Sequence, residues 1–151
     1  MSSLREQMLK TLTGYIDAFN TNTPEGTIAY RSAGCQHRAI PASPMMPVRN
    51  NEEYKAFMAP VFAIMKNFQL KLVEGMDPII DEEARTGVLH LKSTAETPLG
   101  NYKNQYIFTF RLNSDGTEID EIIEWVDLVV LNDFMPKLLA YAKEHADQAA
   151  Q

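Results

Sequence analysis

The spacing of apolar residues changes once along the chain, and this change separates a helical first part from a strand-rich second part. Over Leu4–Phe19, apolar residues recur every three or four positions, which predicts an amphipathic helix. A similar stripe follows the asparagine pair at 50–51, which can cap a helix, and Pro60 within the stripe predicts a kink or a break. Between these two helices, residues 24–32 are expected to form a short helix with a proline in its first turn.

Beyond residue 67 the apolar period shortens to two, which predicts β-strands. An earlier strand is predicted over residues 35–43, before a proline-rich loop, and a closing helix over residues 134–146. Helices followed by a sheet indicate an α+β fold with antiparallel strands, and we expect residues 1–151 to form a single domain. The later predicted strands, separated by turn residues, cover 68–76, 84–97, 102–112 and 118–130.

Composition and charge exclude several classes of function. The formal net charge of -6 leaves no basic face for nucleic acid or an anionic membrane. The first residues, MSSLREQMLK, lack the apolar core of a secretory signal, and no apolar run approaches membrane-spanning length, so we expect a cytoplasmic protein without membrane insertion. The single Cys35 excludes an intrachain disulfide, and the 3 histidines form no metal-ligand motif. With no glycine-rich phosphate loop either, we expect neither a metal nor another cofactor.

Acidic residues interrupt the most apolar of the predicted strands, EIIEWVDLVV. Alternation along a strand places Glu121, Trp125 and Asp127 on one face and Glu124 on the other. A carboxylate in such a setting needs a partner, a raised pKa or water, so the strand is expected to border a polar pocket or interface. A bulge would shift the alternation, so parity alone leaves open which acid faces the pocket.

Two neighbouring residues of the early strand, His37 and Arg38, are further candidates for chemistry. As neighbours they face opposite sides of the sheet. A histidine can exchange protons near neutral pH when a carboxylate orients it, and a structural histidine bonded to a loop carbonyl is the alternative. Arg38 could hold a substrate oxygen, or it could neutralise one of the strand acids.

Asn104 and Tyr106 share the inward face of the next-to-last strand. Their N–H and O–H groups could stabilise a carbonyl oxygen that becomes an enolate, although a tyrosine that only completes the core is equally consistent. Met45, Met46, Met58 and Met65 suit the wall of a pocket for a bulky apolar ligand and serve equally as core residues; the first two could form a lid.

Four segments of the sequence resemble SnoaL-like proteins of fungal polyketide and meroterpenoid pathways, which belong to the nuclear transport factor two-like superfamily. The segments are CQHRAIPAS, RNNEEYKAF, ETPLGNYKNQYIFTF and DGTEIDEIIEWVD. The resemblance implies a cone-shaped barrel, in which a strongly curved antiparallel sheet wraps around three N-terminal helices and a C-terminal helix follows. Related isomerases place a tyrosine on helix one, which adds Tyr15 to the candidates. The chain departs from the family pattern at Gln105, where we would expect a glutamate.

These observations lead to the hypothesis of a cofactor-independent isomerase or cyclase, with dehydration as a further possibility. It would rearrange a ring of a polycyclic meroterpenoid or xanthone-type polyketide through an enolate. The alternative is a non-catalytic ligand-binding or dimerisation module, and a homodimer is expected in either case. The predicted catalytic residues are His37, Glu121, Glu124 and Asp127, and the predicted substrate-binding residues are Arg38, Asn104, Tyr106, Tyr15 and Met65.

Overall fold

A computed structural model describes the backbone of residues 2–149 and the side chains of residues 2–146. The fold consists of a single sheet and the helices that pack against it. The helices are α1 (Leu4–Phe19), a 3₁₀ turn (Glu25–Ile28), α2 (Asn51–Ile64) and α3 (Leu128–Ala149). The strands are β1 (Arg31–Ile40), β2 (Lys66–Leu72), β3 (Ile79–Asp81), β4 (Thr86–Thr97), β5 (Gly100–Leu112) and β6 (Ile119–Val126).

The sheet has the strand order β1-β6-β5-β4-β2, with the short β3 also paired to β4. The pairs from β2 to β6 are antiparallel, as predicted. The expectation of a wholly antiparallel sheet is wrong at one edge, where β1 runs parallel to β6 and pairs His37 with Ile122. Parallel neighbours need a long crossover, and here the intervening helix and four other strands provide it.

The predicted helix over residues 24–32 is reduced to the single 3₁₀ turn, so two α-helices rather than three precede the main sheet. Gly26 weakens a helix there, and Tyr30 adopts a positive φ of 65° that ends it. Arg31 then starts β1 and pairs with Ile119. Of the kink or break predicted at Pro60, the break is not found: α2 continues through Pro60 to Ile64.

The predicted last strand was too long at its C-terminal end. It stops at Val126, and α3 starts at Leu128 instead of near residue 134. The Asp127 carboxylate accepts hydrogen bonds from the main-chain N–H groups of Val129 (3.0 Å) and Val130 (3.3 Å), as an N-cap residue does. This cap favours a helix over continued strand for the apolar residues that follow.

The helices α1 and α2 pack against the concave face of the sheet. The Tyr15 ring of α1 lies edge-on to Phe110 of β5 at 5.3 Å, and Phe19 contacts Phe62 of α2 at 5.9 Å. From the other end of the sheet, Phe134 of α3 packs on Tyr102 at 5.1 Å. These contacts leave a cavity between the sheet and the helices. Within the part of the chain that the structure describes, no helix combines the length and apolar character needed to cross a bilayer.

Candidate active site

The cavity has a volume of about 70 Å³ and is bounded by α2, α3 and the inner face of the sheet. Its walls are almost entirely apolar and rich in methionine. Polar groups reach it from the side chains of Tyr54, Tyr102, Tyr106 and Glu124. The apolar lining residues are Phe19, Met46, Phe57, Met58, Val61, Met65, Phe68, Leu70, Phe108, Val126, Leu131 and Met135.

Glu124 brings a carboxylate into this apolar space. Alternation along β6 turns Ile122, Glu124 and Val126 inward, and Glu124 is only 5% exposed. It is the one charged residue among the described residues that line the cavity. Burying a charge is costly unless it is paired or hydrogen-bonded, so the surroundings of this carboxylate decide what it can do.

His37 of β1 supports the Glu124 carboxylate from behind. Its Nε2 atom lies 3.5 Å from Oε1 of Glu124, and its Nδ1 atom lies 3.1 Å from Nη2 of Arg31. A guanidinium group donates and does not accept, so Nδ1 must accept and the imidazole proton must be on Nε2, towards Glu124. Burial lowers the pKa of His37 and outweighs the opposing effect of Glu124. His37 is therefore neutral near pH 7. Its Nε2–H faces the Glu124 carboxylate, but at 3.5 Å it makes no hydrogen bond to it.

Aromatic rings surround the Arg31 guanidinium, which lies behind His37. The Tyr54 ring stacks on the His37 ring at 4.5 Å, and the Arg31 guanidinium lies 4.4 Å from the centre of the Tyr54 ring. Tyr15 Oη lies 3.5 Å from Nη2 of Arg31. Because Nε and Nη1 of Arg31 have no hydrogen-bond partner among the described residues, the contacts with the Tyr15 and Tyr54 rings are what compensate its charge.

Two tyrosine hydroxyls supply proton donors inside the cavity. The Tyr102 hydroxyl accepts a hydrogen bond of 2.7 Å from Nδ2 of Asn104, and the Tyr106 hydroxyl lies 2.8 Å from Oγ of Ser93. Burial raises the pKa of Tyr102 and raises that of Tyr106 further. Both hydroxyls are therefore protonated at neutral pH and able to donate to an oxygen atom of a bound molecule.

The loop after β1 covers one side of the cavity. The main-chain N–H and C=O groups of His37 and Arg49 exchange two hydrogen bonds of 2.9 Å, which fix the end of the loop to β1. Met46, within this loop, is buried and lines the cavity. The Arg49 guanidinium lies 3.8 Å from the centre of the Phe57 ring, at the same wall.

The structure separates the predicted acids of the last strand. Glu121 faces the opposite side of the sheet, where its carboxylate pairs with Arg38 at 2.8 Å and with Arg111 at 3.5 Å. Asp127 is exposed and caps α3. Glu121 and Arg38 therefore lie outside the cavity, because residues of odd number on β6 and of even number over residues 36–40 of β1 face outward. Asp127 follows the end of β6 and also does not line the cavity.

The remaining predicted residues lie at or just behind the cavity wall. Tyr106 and Met65 line it. His37, Tyr15 and Asn104 are buried, but they contact the cavity residues from behind and are not among those that line it.

Sequence reasoning missed three residues of the site. Arg31 was assigned to a helix, and a bulge in β1 between residues 31 and 36 hides its place in the strand alternation. Tyr54 was predicted only as part of the apolar stripe of α2. Tyr102 could have been found, because it has the same parity as Asn104 and Tyr106 and extends their inward row by one position.

The arrangement is suited to acid–base chemistry. It combines one carboxylate, with a neutral histidine 3.5 Å behind it, with two hydroxyl donors in a space with few other polar groups. No group of three or more metal-ligating side chains is found within the described residues.

No protein-family model matches the chain. Austinoid biosynthesis clusters protein F of Penicillium brasilianum is 32% identical over 149 residues, which cover 99% of this chain and 99% of that protein. Among solved structures, the BvnE pinacolase from Penicillium brevicompactum has a TM-score of 0.87 and 34% sequence identity, covering 93% of this chain and 99% of the other.

More distant structures share the architecture. A SnoaL-like polyketide cyclase from Shewanella denitrificans has a TM-score of 0.67 at 11% identity and covers 86% of this chain and 97% of its own, which shows a common fold. The fold and the relatives agree with the resemblance that the four sequence segments indicated. The chain therefore belongs to the SnoaL-like family of the nuclear transport factor two-like superfamily, together with the austinoid-cluster proteins of fungal meroterpenoid pathways.

Proposed function

We propose that this protein is a cofactor-independent isomerase or cyclase of fungal secondary metabolism that rearranges a ring of a polycyclic meroterpenoid or polyketide by acid–base catalysis. The relatives support an enzyme of the isomerase or cyclase kind in secondary metabolism. The observation that carries the finer proposal is the buried Glu124 carboxylate, which shares an apolar cavity with the hydroxyls of Tyr102 and Tyr106.

In the enolate route, Glu124 removes a proton from a carbon next to a carbonyl group. The electrons of the C–H bond form the new C=C bond, and the carbonyl π electrons move to oxygen, where the tyrosine hydroxyls donate hydrogen bonds to the developing charge. A proton then returns to a different atom, or the enolate carbon attacks a second electrophilic centre of the same molecule. The neutral His37, with Nε2 3.5 Å from the carboxylate, backs it during both steps and turns its N–H towards the charge.

A pinacol-type 1,2-shift is the second candidate, favoured by the 34% identity to the BvnE pinacolase. Here Glu124 takes the proton of a hydroxyl group while a neighbouring carbon substituent migrates, and a tyrosine donates a proton to the atom that gains the electron pair. Both routes need one base and one acid on opposite sides of the reacting bonds, so the same three residues would serve.

The size of the cavity sets a condition for either route. Pockets for drug-sized molecules measure roughly 300–1,000 Å³, whereas this cavity holds about 70 Å³. A polycyclic substrate fits only after wall residues move. Met46 in the loop after β1 and Met135 on α3 are placed to do this, because unbranched methionine side chains change rotamer readily.

The two routes and the non-catalytic alternative can be distinguished in deuterium oxide. Purified protein is incubated with polycyclic meroterpenoid and polyketide pathway intermediates, and products are analysed by mass spectrometry and NMR. An enolate route places deuterium on a carbon of the product, whereas a 1,2-shift gives an isomer with no new carbon-bound deuterium. Binding of an intermediate without conversion would instead favour a ligand-binding module.

We also propose that two chains pair through the outer face of the sheet. On this face Trp125 and Ile107 are cross-strand neighbours, 53% and 40% exposed, and His90 is the next residue in the row. Exposed apolar residues in a continuous row are typical of surfaces that another protein covers. A second copy of the chain presents the same row, which makes a symmetric interface possible.

A further inference from the structure

Asn104 lies between the two cavity tyrosines along β5 and uses its amide for contacts within the protein. The side chain is 4% exposed and does not line the cavity wall. The sequence suggested that this amide would bind the substrate. Its hydrogen-bonding capacity is instead used within the protein, which raises the question of what an amide in this position controls.

The orientation of the Asn104 amide is fixed by its neighbours. Oδ1 accepts a hydrogen bond of 2.7 Å from the main-chain N–H of Gln105, and Nδ2 lies 3.4 Å from the main-chain carbonyl of Asp127. Rotating the amide by half a turn would set donor against donor and acceptor against acceptor. Nδ2 must therefore donate to Tyr102, whose oxygen is 2.7 Å away and acts as the acceptor.

The hydrogen bond from Asn104 to Tyr102 restricts where the Tyr102 hydroxyl can direct its own proton. An oxygen that accepts from Asn104 must direct its own O–H elsewhere, and the Tyr102 side chain lines the cavity. Tyr106 is held differently, because its partner Ser93 Oγ, at 2.8 Å, can either donate or accept. The bond from Asn104 also persists when Tyr102 loses its proton, and hydrogen bonds to an ionised group are about twice as strong as neutral ones.

We propose that Asn104 is a positioning residue that makes Tyr102, rather than Tyr106, the proton donor of the cavity. This inference rests on the proposed acid–base function and names its acid. When the Tyr102 O–H bond breaks, the electron pair stays on the phenolate oxygen, at which the Asn104 N–H already points, and the proton goes to the substrate. The proton that Glu124 has removed restores Tyr102 at the end of the cycle, so the isomerisation needs no co-reactant. Tyr106 stays protonated and donates a hydrogen bond.

The ionisation behaviour of the two tyrosines supports this division. Burial raises the pKa of both, but the hydrogen bonds from Asn104 and Tyr106 oppose the increase at Tyr102. At Tyr106 the contact with Ser93 also opposes the increase, but burial is reinforced by the nearby Tyr102 and Glu124, and the pKa is raised well above its usual value.

The test places 3,5-difluorotyrosine, which ionises at lower pH than tyrosine, at position 102 or at position 106, and follows its ¹⁹F resonance against pH. We expect a lower midpoint at 102 than at 106. Asn104→Leu should raise the midpoint at 102 by about one pH unit, the effect of losing one hydrogen bond to a charged group. Ser93→Ala is the matched control and should move the midpoint at 106 instead.

Equal shifts at both positions, or no shift at 102 in Asn104→Leu, would overturn the proposal. Circular dichroism checks the fold, and Asn104→Ala replaces the leucine variant if leucine is not accommodated. This readout needs no substrate, so its result is separate from that of the deuterium experiment. With a substrate in hand, Asn104→Leu should lower kcat while KM changes little, and it should have no further effect in a Tyr102→Phe background.

Discussion

The Nε2 atom of His37 lies 3.5 Å from the Oε1 atom of Glu124, and both side chains are buried. Because Arg31 donates to the other ring nitrogen, the imidazole is held neutral with its proton towards the carboxylate. His37 is thus placed to orient the base rather than to act as the base itself. This changes its predicted role and gives it a measurable effect on stability.

Stability should fall in mild acid because of His37. Burial lowers the pKa of His37 in the folded state, so the unfolded imidazole, with a pKa of about 6.5, takes up a proton first as the pH falls. The stabilisation is complete above about pH 6.5 and is lost as the pH falls towards the folded-state pKa, by up to about 1.4 kcal/mol per pH unit. Urea unfolding measured between pH 5 and pH 8, in steps of about one pH unit, would give this slope.

The control for this prediction is His37→Gln. The glutamine amide can donate a hydrogen bond to Glu124, as the imidazole N–H could, but it does not titrate. Other acidic groups contribute equally in both proteins, so the difference between the two curves isolates His37. Parallel curves for wild type and variant would show that the imidazole does not change its proton affinity on folding.

Glu124→Gln should strongly reduce turnover, while Glu121→Gln should preserve it. Both residues lie on β6, but only Glu124 faces the cavity, and the loss of a general base costs about 10²–10⁴ in rate. Conversion of the substrate found in the deuterium experiment, measured with thermal midpoints for both variants, would test the difference. Equal activity of the two variants would remove Glu124 from the mechanism.

Asp127→Ala should reduce stability without removing activity. The Asp127 carboxylate caps α3, and replacing an N-cap by alanine costs about 0.5–2 kcal/mol. Asp127→Asn keeps a capping oxygen and should be close to wild type in a thermal melt. A fully folded Asp127→Asn variant without activity would instead return this residue to the catalytic role that the sequence suggested.

Trp125→Glu should prevent self-association. The substitution places a charge in the middle of the exposed row on the outer sheet face, where a second copy would bury it. We expect wild type to sediment as a dimer and the variant as a monomer. Leu99→Glu is the control, because Leu99 is similarly exposed but lies at the β4–β5 turn. Dimers in both variants would place the interface elsewhere.

Much of the local structure could be predicted from the sequence, since it depends on periodicity within short segments. The amphipathic stripe of α1 and the alternation along β5 identified the residues that face the core. The inward row of Asn104 and Tyr106 contained the clue to Tyr102 as well. The prediction of secondary structure was wrong in segments whose pattern fits more than one element. The apolar residues after Asp127 fit a strand or a helix, and the capping contacts of Asp127 decide for the helix.

The sequence by itself determined that the protein is an α+β chain of the SnoaL-like kind, with a buried acid in its last strand. Alternation separated Glu124 from Glu121 and Asp127, but it did not say which set faced inward. Only the tertiary structure decided this, because the parallel pairing of β1 with β6 sets His37 and Arg31 behind Glu124 on the concave face. Such contacts join residues about ninety positions apart, and no local pattern in the chain encodes them.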